Sequence, residues 1–125
     1  MATVLIIDDH QAMRKTIREI LEDAGHEVFE APDGHSGIEM QRRQKADVVL
    51  TDIFMPRKEG MATIRELCAE FPGIRVIAMS GGNDDLVAPE SFIELARRFG
   101  ARSTLTKPFK IDELLTVLND VLADT

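Results

Sequence analysis

The 125-residue chain has no tryptophan, no tyrosine and a single cysteine, Cys68. One cysteine makes no internal disulfide. It falls on an apolar stripe of helical spacing, so a buried, inert thiol in a reducing compartment is expected. No apolar run approaches the roughly 20 residues of a membrane span. The N-terminus, MATVLIIDDH, has no basic segment and meets aspartates at once, which argues against a signal peptide and for a cytoplasmic location. Basic charge is also short: 15 Lys and Arg stand against 22 Asp and Glu, for a net charge of −7. Nucleic-acid phosphates and anionic membranes repel such a chain, so neither is an expected direct partner. His10, His26 and His35 are not at paired ligand spacing and have no cysteine partners, so no zinc site is expected.

What is present is regular. Apolar residues make up 44% and charged residues 30%, the balance of a globular chain with one real core. No linker, repeat or low-complexity tract interrupts it, and one domain over residues 1–125 is expected. Val4-Leu5-Ile6-Ile7 reads as a strand covered on both faces. Met13, Ile17, Ile20, Leu21 and Ala24 follow at helical spacing, with Gly25 as a stop. Glu27–Ala31 is a short strand, and APDG turns into a polar helix holding Gly37 and Met40. A third strand is expected over Asp47–Thr51, then a helix on Met61, Ile64, Leu67, Cys68 and Phe71, ended by Pro72-Gly73. A fourth strand fits Arg75–Met79. Its helix carries Phe92, Leu95, Ala96 and Phe99, with Pro89 in the first turn and Gly100 at the end. Ser103–Thr106 is the last strand. Ile111, Leu114, Leu115, Leu118, Val121 and Leu122 mark the last helix, with Asp112 and Glu113 in its first turn.

Five successive β-α units imply one parallel sheet with helices on both faces. In such a sheet the carboxyl ends of all strands meet at one edge, where ligands bind. Asp8 and Asp9 follow the first strand, Asp52 ends the third, Ser80 the fourth, and Lys107 the fifth. Each has a plain reading on its own. An aspartate after a strand caps a helix or forms a turn, Ser80 before Gly81-Gly82 is turn chemistry, and Lys107 is a surface lysine. Four of five strands delivering a reactive group to one edge is the improbable part. Clustered carboxylates repel unless a cation sits among them, and oxygen-only ligands suit a hard ion such as Mg²⁺. A cation and an ammonium flanking one carboxylate suit phosphoryl transfer, with the carboxylate as nucleophile.

At these residues the chain resembles the receiver domains of two-component response regulators. The motifs are IIDDH (6–10), LTDIFMP (50–56), AMSG (78–81) and LTKPF (105–109), and the likeness spans essentially the whole chain. The resemblance implies a flavodoxin-like (βα)5 doubly wound fold and a stand-alone single-domain regulator. It implies Asp52 as the phosphoacceptor and a Mg²⁺ ion held by Asp8, Asp9, Asp52 and the backbone carbonyl of Phe54, with Asp8 acting partly through water. Lys107 and the Ser80 hydroxyl would contact the phosphoryl oxygens, and a cis peptide before Pro108 would aim the lysine. The donor would be a sensor histidine kinase or a histidine phosphotransfer protein, docking on the first helix beside Arg14, Ile17 and Arg18. The downstream partner, an unidentified protein, would bind the face of the fourth helix, fifth strand and fifth helix, where Ile93, Arg97 and Arg98 lie off the core stripe. Such a protein is a phosphoacceptor rather than an enzyme acting on other substrates.

The chain departs from the family pattern in three ways. Thr104 stands where the family has a switching aromatic coupled to Ser80. The segment from Ser80 to Lys107 is a few residues long, with the excess near residues 81–90. Phe54 and Gly82 occupy positions that in the family flank the path of a hydrolytic water, and neither side chain offers that water a hydrogen bond. Two rival functions stay in view. A Mg²⁺-dependent phosphohydrolase using Asp52 commonly has an acid two residues after its nucleophile, where this chain has Phe54. A passive interaction module has no need of five intact reactive positions.

The residues at 54 and 82 predict slow to moderate loss of the phosphoryl group. Replacing Phe54 by Asn is expected to speed that loss, timed on the phosphorylated protein; an unchanged or slower rate would contradict it.

Overall fold

The computed structural model describes residues 2–53, 59–80 and 89–123, with Glu59 and residues 89–93 as backbone only. Its elements are β1 (Thr3–Ile7), α1 (Gln11–Asp23), β2 (Glu27–Ala31), α2 (Gly34–Arg43), β3 (Val48–Asp52), α3 (Glu59–Glu70), β4 (Arg75–Ser80), α4 (Pro89–Arg98), β5 (Ser103–Thr106) and α5 (Ile111–Ala123). The strands form one parallel sheet in the order β2-β1-β3-β4-β5. The chain winds from β1 to one side and then returns to the other, so the switch point lies between β1 and β3.

The pleat sorts the apolar residues into two layers. Leu5, Ile7, Val49, Val76 and Ala78 pack with Ile38, Ile64, Leu67 and Ala96 from α2, α3 and α4. Val4, Ile6, Val48, Leu50, Ile77, Met79 and Leu105 pack with Ile17, Leu21, Leu114, Leu118 and Val121 from α1 and α5. Val4–Ile7 of β1 and Val48–Leu50 of β3 are apolar and fully buried because both faces of these strands are covered, as the sequence runs predict.

The structure shifts some expected details. β3 starts at Val48; Asp47, just before it, bonds Thr3 twice, its N–H donating to the Thr3 carbonyl and its carboxylate accepting the Thr3 N–H, both at 2.8 Å. It runs through Asp52, and β4 runs through Ser80. Two residues assigned to core stripes are exposed, Leu95 at 39% and Ile111 at 59%. On α4 it is Ala96, one helical step from Leu95, that faces the sheet; Ile111 is the first residue of α5 and precedes the turn that packs. Cys68 is half-buried rather than buried, and that burial pushes its thiol up, so it holds little reactive thiolate.

One glycine shapes the functional edge. A Cβ on Gly60 would lie 2.3 Å from the Ile53 Cα and 2.5 Å from the Asp52 carbonyl oxygen. Both are backbone atoms with no room to yield, so only glycine lets α3 close down on the exit of β3.

Candidate phosphoacceptor site

Strand register brings the acids together. Ile7 aligns with Thr51, so Asp8, one residue on, comes level with Asp52. Both fall on the α1/α5 side of the sheet by alternation from Ile6 and Leu50. Ser80 aligns with Thr106, and Lys107 is the next residue; its N–H donates to the Ser80 carbonyl at 2.7 Å. Two residues past the buried Leu105, Lys107 points to the same side as the acids. Its Nζ donates to Asp8 Oδ2 at 2.7 Å and to Asp52 Oδ2 at 3.1 Å, across sequence separations of 99 and 55 residues. The peptide between Lys107 and Pro108 is cis, as expected.

The charges are well removed from water. Asp8 is fully buried, Asp52 is 2% exposed and the Lys107 side chain 12%. Burial alone pulls the Lys107 ammonium toward its neutral form. The hydrogen bond that the ammonium donates to Asp8 and the charges of Asp52 and Asp8 outweigh it and hold the lysine above its ordinary value of 10.5. Among the described residues, no buried side-chain nitrogen or oxygen lacks a hydrogen-bond partner.

Asp9 is partly exposed just beyond the strand. Its neighbour His10 joins it at this edge. His10 is the N-cap residue of α1, but its ring caps nothing. Nδ1 instead lies 3.1 Å from Asp9 Oδ1 and 3.3 Å from Asp8 Oδ1, and its backbone N–H donates to Asp8 Oδ1 at 2.9 Å. A ring nitrogen thus stands beside the carboxylate oxygens. Its sole sequence signal was adjacency to the aspartate pair, which ligand-spacing rules do not register. Ligand atoms of Asp8, Asp9, His10 and Asp52 all lie within 4.8 Å of one another. That spread is close to the about 4 Å between opposite ligands of a small octahedral cation. Three carboxylates facing one ammonium also leave two negative charges, so the residues fit a divalent ion.

The remaining site expectations divide. Ser80 is buried at the end of β4 and enters the site through its carbonyl; by the pleat it is one step out of phase with Asp52 and Met79. Thr104 is half-buried on β5 opposite Ala78. Arg97 and Arg98 are exposed, and Arg98 pairs with Glu94 at 3.1 Å. Arg18 is 40% exposed, whereas Arg14 turns inward at 14%. Phe54, Gly82, Pro56, the excess near residues 81–88 and the side chain of Ile93 lie outside the described residues.

The model of the family described as the response regulator receiver domain matches residues 4–119. This chain belongs to that family. Protein PilH of Pseudomonas aeruginosa is 38% identical, with 98% of this chain and 99% of PilH covered. Chemotaxis protein CheY of Thermotoga maritima is 32% identical over 94% of this chain and 95% of its own. Among solved structures, the Vibrio cholerae chemotaxis protein CheY4 superposes with a TM-score of 0.86 at 28% identity, covering 97% of this chain and 98% of CheY4. The receiver domain protein of Clostridium thermocellum gives 0.87 at 31%, covering 98% and 94%. NtrX of Brucella abortus gives 0.88 at 30% identity over 97% of this chain, which spans 27% of that longer chain. Receiver domains accept phosphoryl groups from histidine kinases or phosphotransfer proteins in two-component signalling, and generally bind Mg²⁺ in an acidic pocket. The edge of this sheet carries an acidic cluster of Asp8, Asp9 and Asp52.

Removing the ammonium leaves two buried carboxylates facing each other. Lys107→Met is expected to lower the unfolding free energy at neutral pH by about 3 kcal/mol in urea titrations with chelator. A lysine raised in the folded state stabilises fully below its ordinary 10.5 and loses that contribution as pH rises through the higher folded value. The variant should lack this alkaline component. Equal stability of the two proteins at neutral pH would contradict the role given to Lys107.

Proposed function

We propose that this chain is a phosphorelay switch in which Asp52 accepts the phosphoryl group, and that residues 1–125 act as one receiver unit. The observation that carries this reading is the Lys107 ammonium bridging Asp8 and Asp52 at the carboxyl edge of the sheet. An Asp52 carboxylate oxygen forms the new bond to phosphorus. The bond from phosphorus to the donor's histidine nitrogen, or to the oxygen of an acyl phosphate, breaks, and its electron pair leaves with the donor.

Lys107 has a double part. Before transfer it offsets the charge of Asp8 and Asp52; during transfer the same fixed ammonium stabilises charge on the phosphoryl oxygens. Asp8, Asp9 and Asp52 would hold Mg²⁺, with the carbonyl of Phe54 completing the set. When bound, the ion supplies charge neutralisation at the phosphoryl oxygens. Ser80 ends β4; its hydroxyl would contact the phosphoryl oxygens, and that contact is the switching event. Thr104 on the neighbouring strand lacks the bulk of an aromatic, so the signal passes mainly through the segment after Ser80. Phe54 and Gly82 set a slow loss of the phosphoryl group, which the protein catalyses itself. The output is a changed contact with a partner protein.

Incubation with Mg²⁺ and a small acyl phosphate, followed by intact-mass measurement, is expected to show the gain of one phosphoryl group. Asp52→Ala should gain none. Labelling of the variant at the wild-type level would overturn the assignment, and repeated turnover of a generic phosphoester would favour the hydrolase reading.

A further inference from the structure

Asp9 lies beyond the last ladder position of β1, where Ile7 pairs with Ala31 and Thr51, and belongs to no strand or helix. Its carboxylate direction therefore depends on how the peptide between Asp8 and Asp9 is held. The Asp8 N–H is fixed by the Ala31 carbonyl at 3.2 Å. The Asp8 carbonyl accepts from Arg14 Nη1 at 2.5 Å. Arg14 is itself fixed: its Nε donates to Glu30 Oε1 at 3.2 Å, and its side chain is only 14% exposed. Arg18 Nη1 grips the other Glu30 oxygen at 2.7 Å, and Arg18 Nε meets Glu22 at 3.3 Å. Glu30 immediately precedes Ala31, so one short stretch of β2 fixes both ends of the Asp8 backbone, once directly and once through a guanidinium.

From this geometry we propose that Arg14 is a positioning residue for the cation site, setting the Asp8–Asp9 peptide so that Asp9 faces Asp8 and Asp52. The inference rests on the proposed Mg²⁺ site. Arginine suits the task because its planar fork bonds a carbonyl and a carboxylate at once, whereas a lysine ammonium on a flexible stem is not pre-organised to do so. Arg14 touches none of the reacting atoms and acts through the backbone that carries the ligands.

The test titrates Mg²⁺ alone into wild-type protein, Arg14→Met, Arg14→Lys and Glu30→Gln, and reads the apparent Kd from the rise in thermal midpoint. Arg14→Met is expected to weaken Mg²⁺ binding about tenfold, the scale of losing a residue that orients metal ligands. Arg14→Lys should fall between it and wild type. Glu30→Gln, which keeps the guanidinium but loosens its anchor, should shift Kd in the same direction by less, and serves if Arg14→Met does not fold. With an acyl phosphate, the Mg²⁺ concentration for half-maximal phosphorylation should rise while the plateau rate stays within about twofold. A merely structural role would lower the metal-free midpoint and leave Kd unmoved. Wild-type binding with unchanged Kd in the folded variants overturns the role of Arg14. A wild type that takes up no Mg²⁺ overturns the proposed site, and this inference with it.

Discussion

A single ammonium group, Lys107 Nζ, holds two buried carboxylates that arrive on different strands. Like charges at this spacing oppose folding unless something of opposite sign stands between them. Much else in the molecule serves that meeting. The parallel register sets Asp8 level with Asp52, the β4–β5 pairing carries Lys107 to the same edge, and Gly60 lets α3 close over the exit of β3. The covering helices keep water from the sheet, so the remaining charge is felt strongly.

The arrangement is incompletely neutralised. One ammonium against three carboxylates leaves the pocket short of positive charge, and a divalent ion fits that deficit in sign and size. The charge left over after Lys107 opposes the fold, and the same charge would draw a cation. Asp52 ends β3, and Asp8 directly follows β1 with its N–H held by the Ala31 carbonyl. Loose loops would relax the repulsion by moving apart.

Much of this was legible in the residues. The five β-α units, the parallel sheet and the meeting of Asp8, Asp9, Asp52 and Lys107 follow from apolar runs ending in polar groups, because strand direction is shared across a parallel sheet. What escaped were facts of side-chain direction. His10 was set aside for lack of ligand spacing, yet its ring turns onto the acids. Arg14 was placed on an outer docking face, yet it folds inward because the Asp8 carbonyl and Glu30 both lie within its reach. Leu95 and Ile111 matched the helical period but sit where the helix turns from the sheet. Periodicity gives a face to within a step of the helix; it does not say which of two adjacent apolar residues the sheet will cover.

The central claim is that the acid cluster is held in tension for a cation, and Asp9 tests it because it is the acid Lys107 does not bridge. The decisive measurement is urea unfolding of wild type and Asp9→Asn, each in chelator and in millimolar Mg²⁺. Without metal the Asn protein should be the more stable, since one repelling charge is gone. Mg²⁺ should then stabilise the wild type more strongly and reverse the order. An Asn variant that is less stable in chelator, or an equal Mg²⁺ effect on both proteins, would contradict the account.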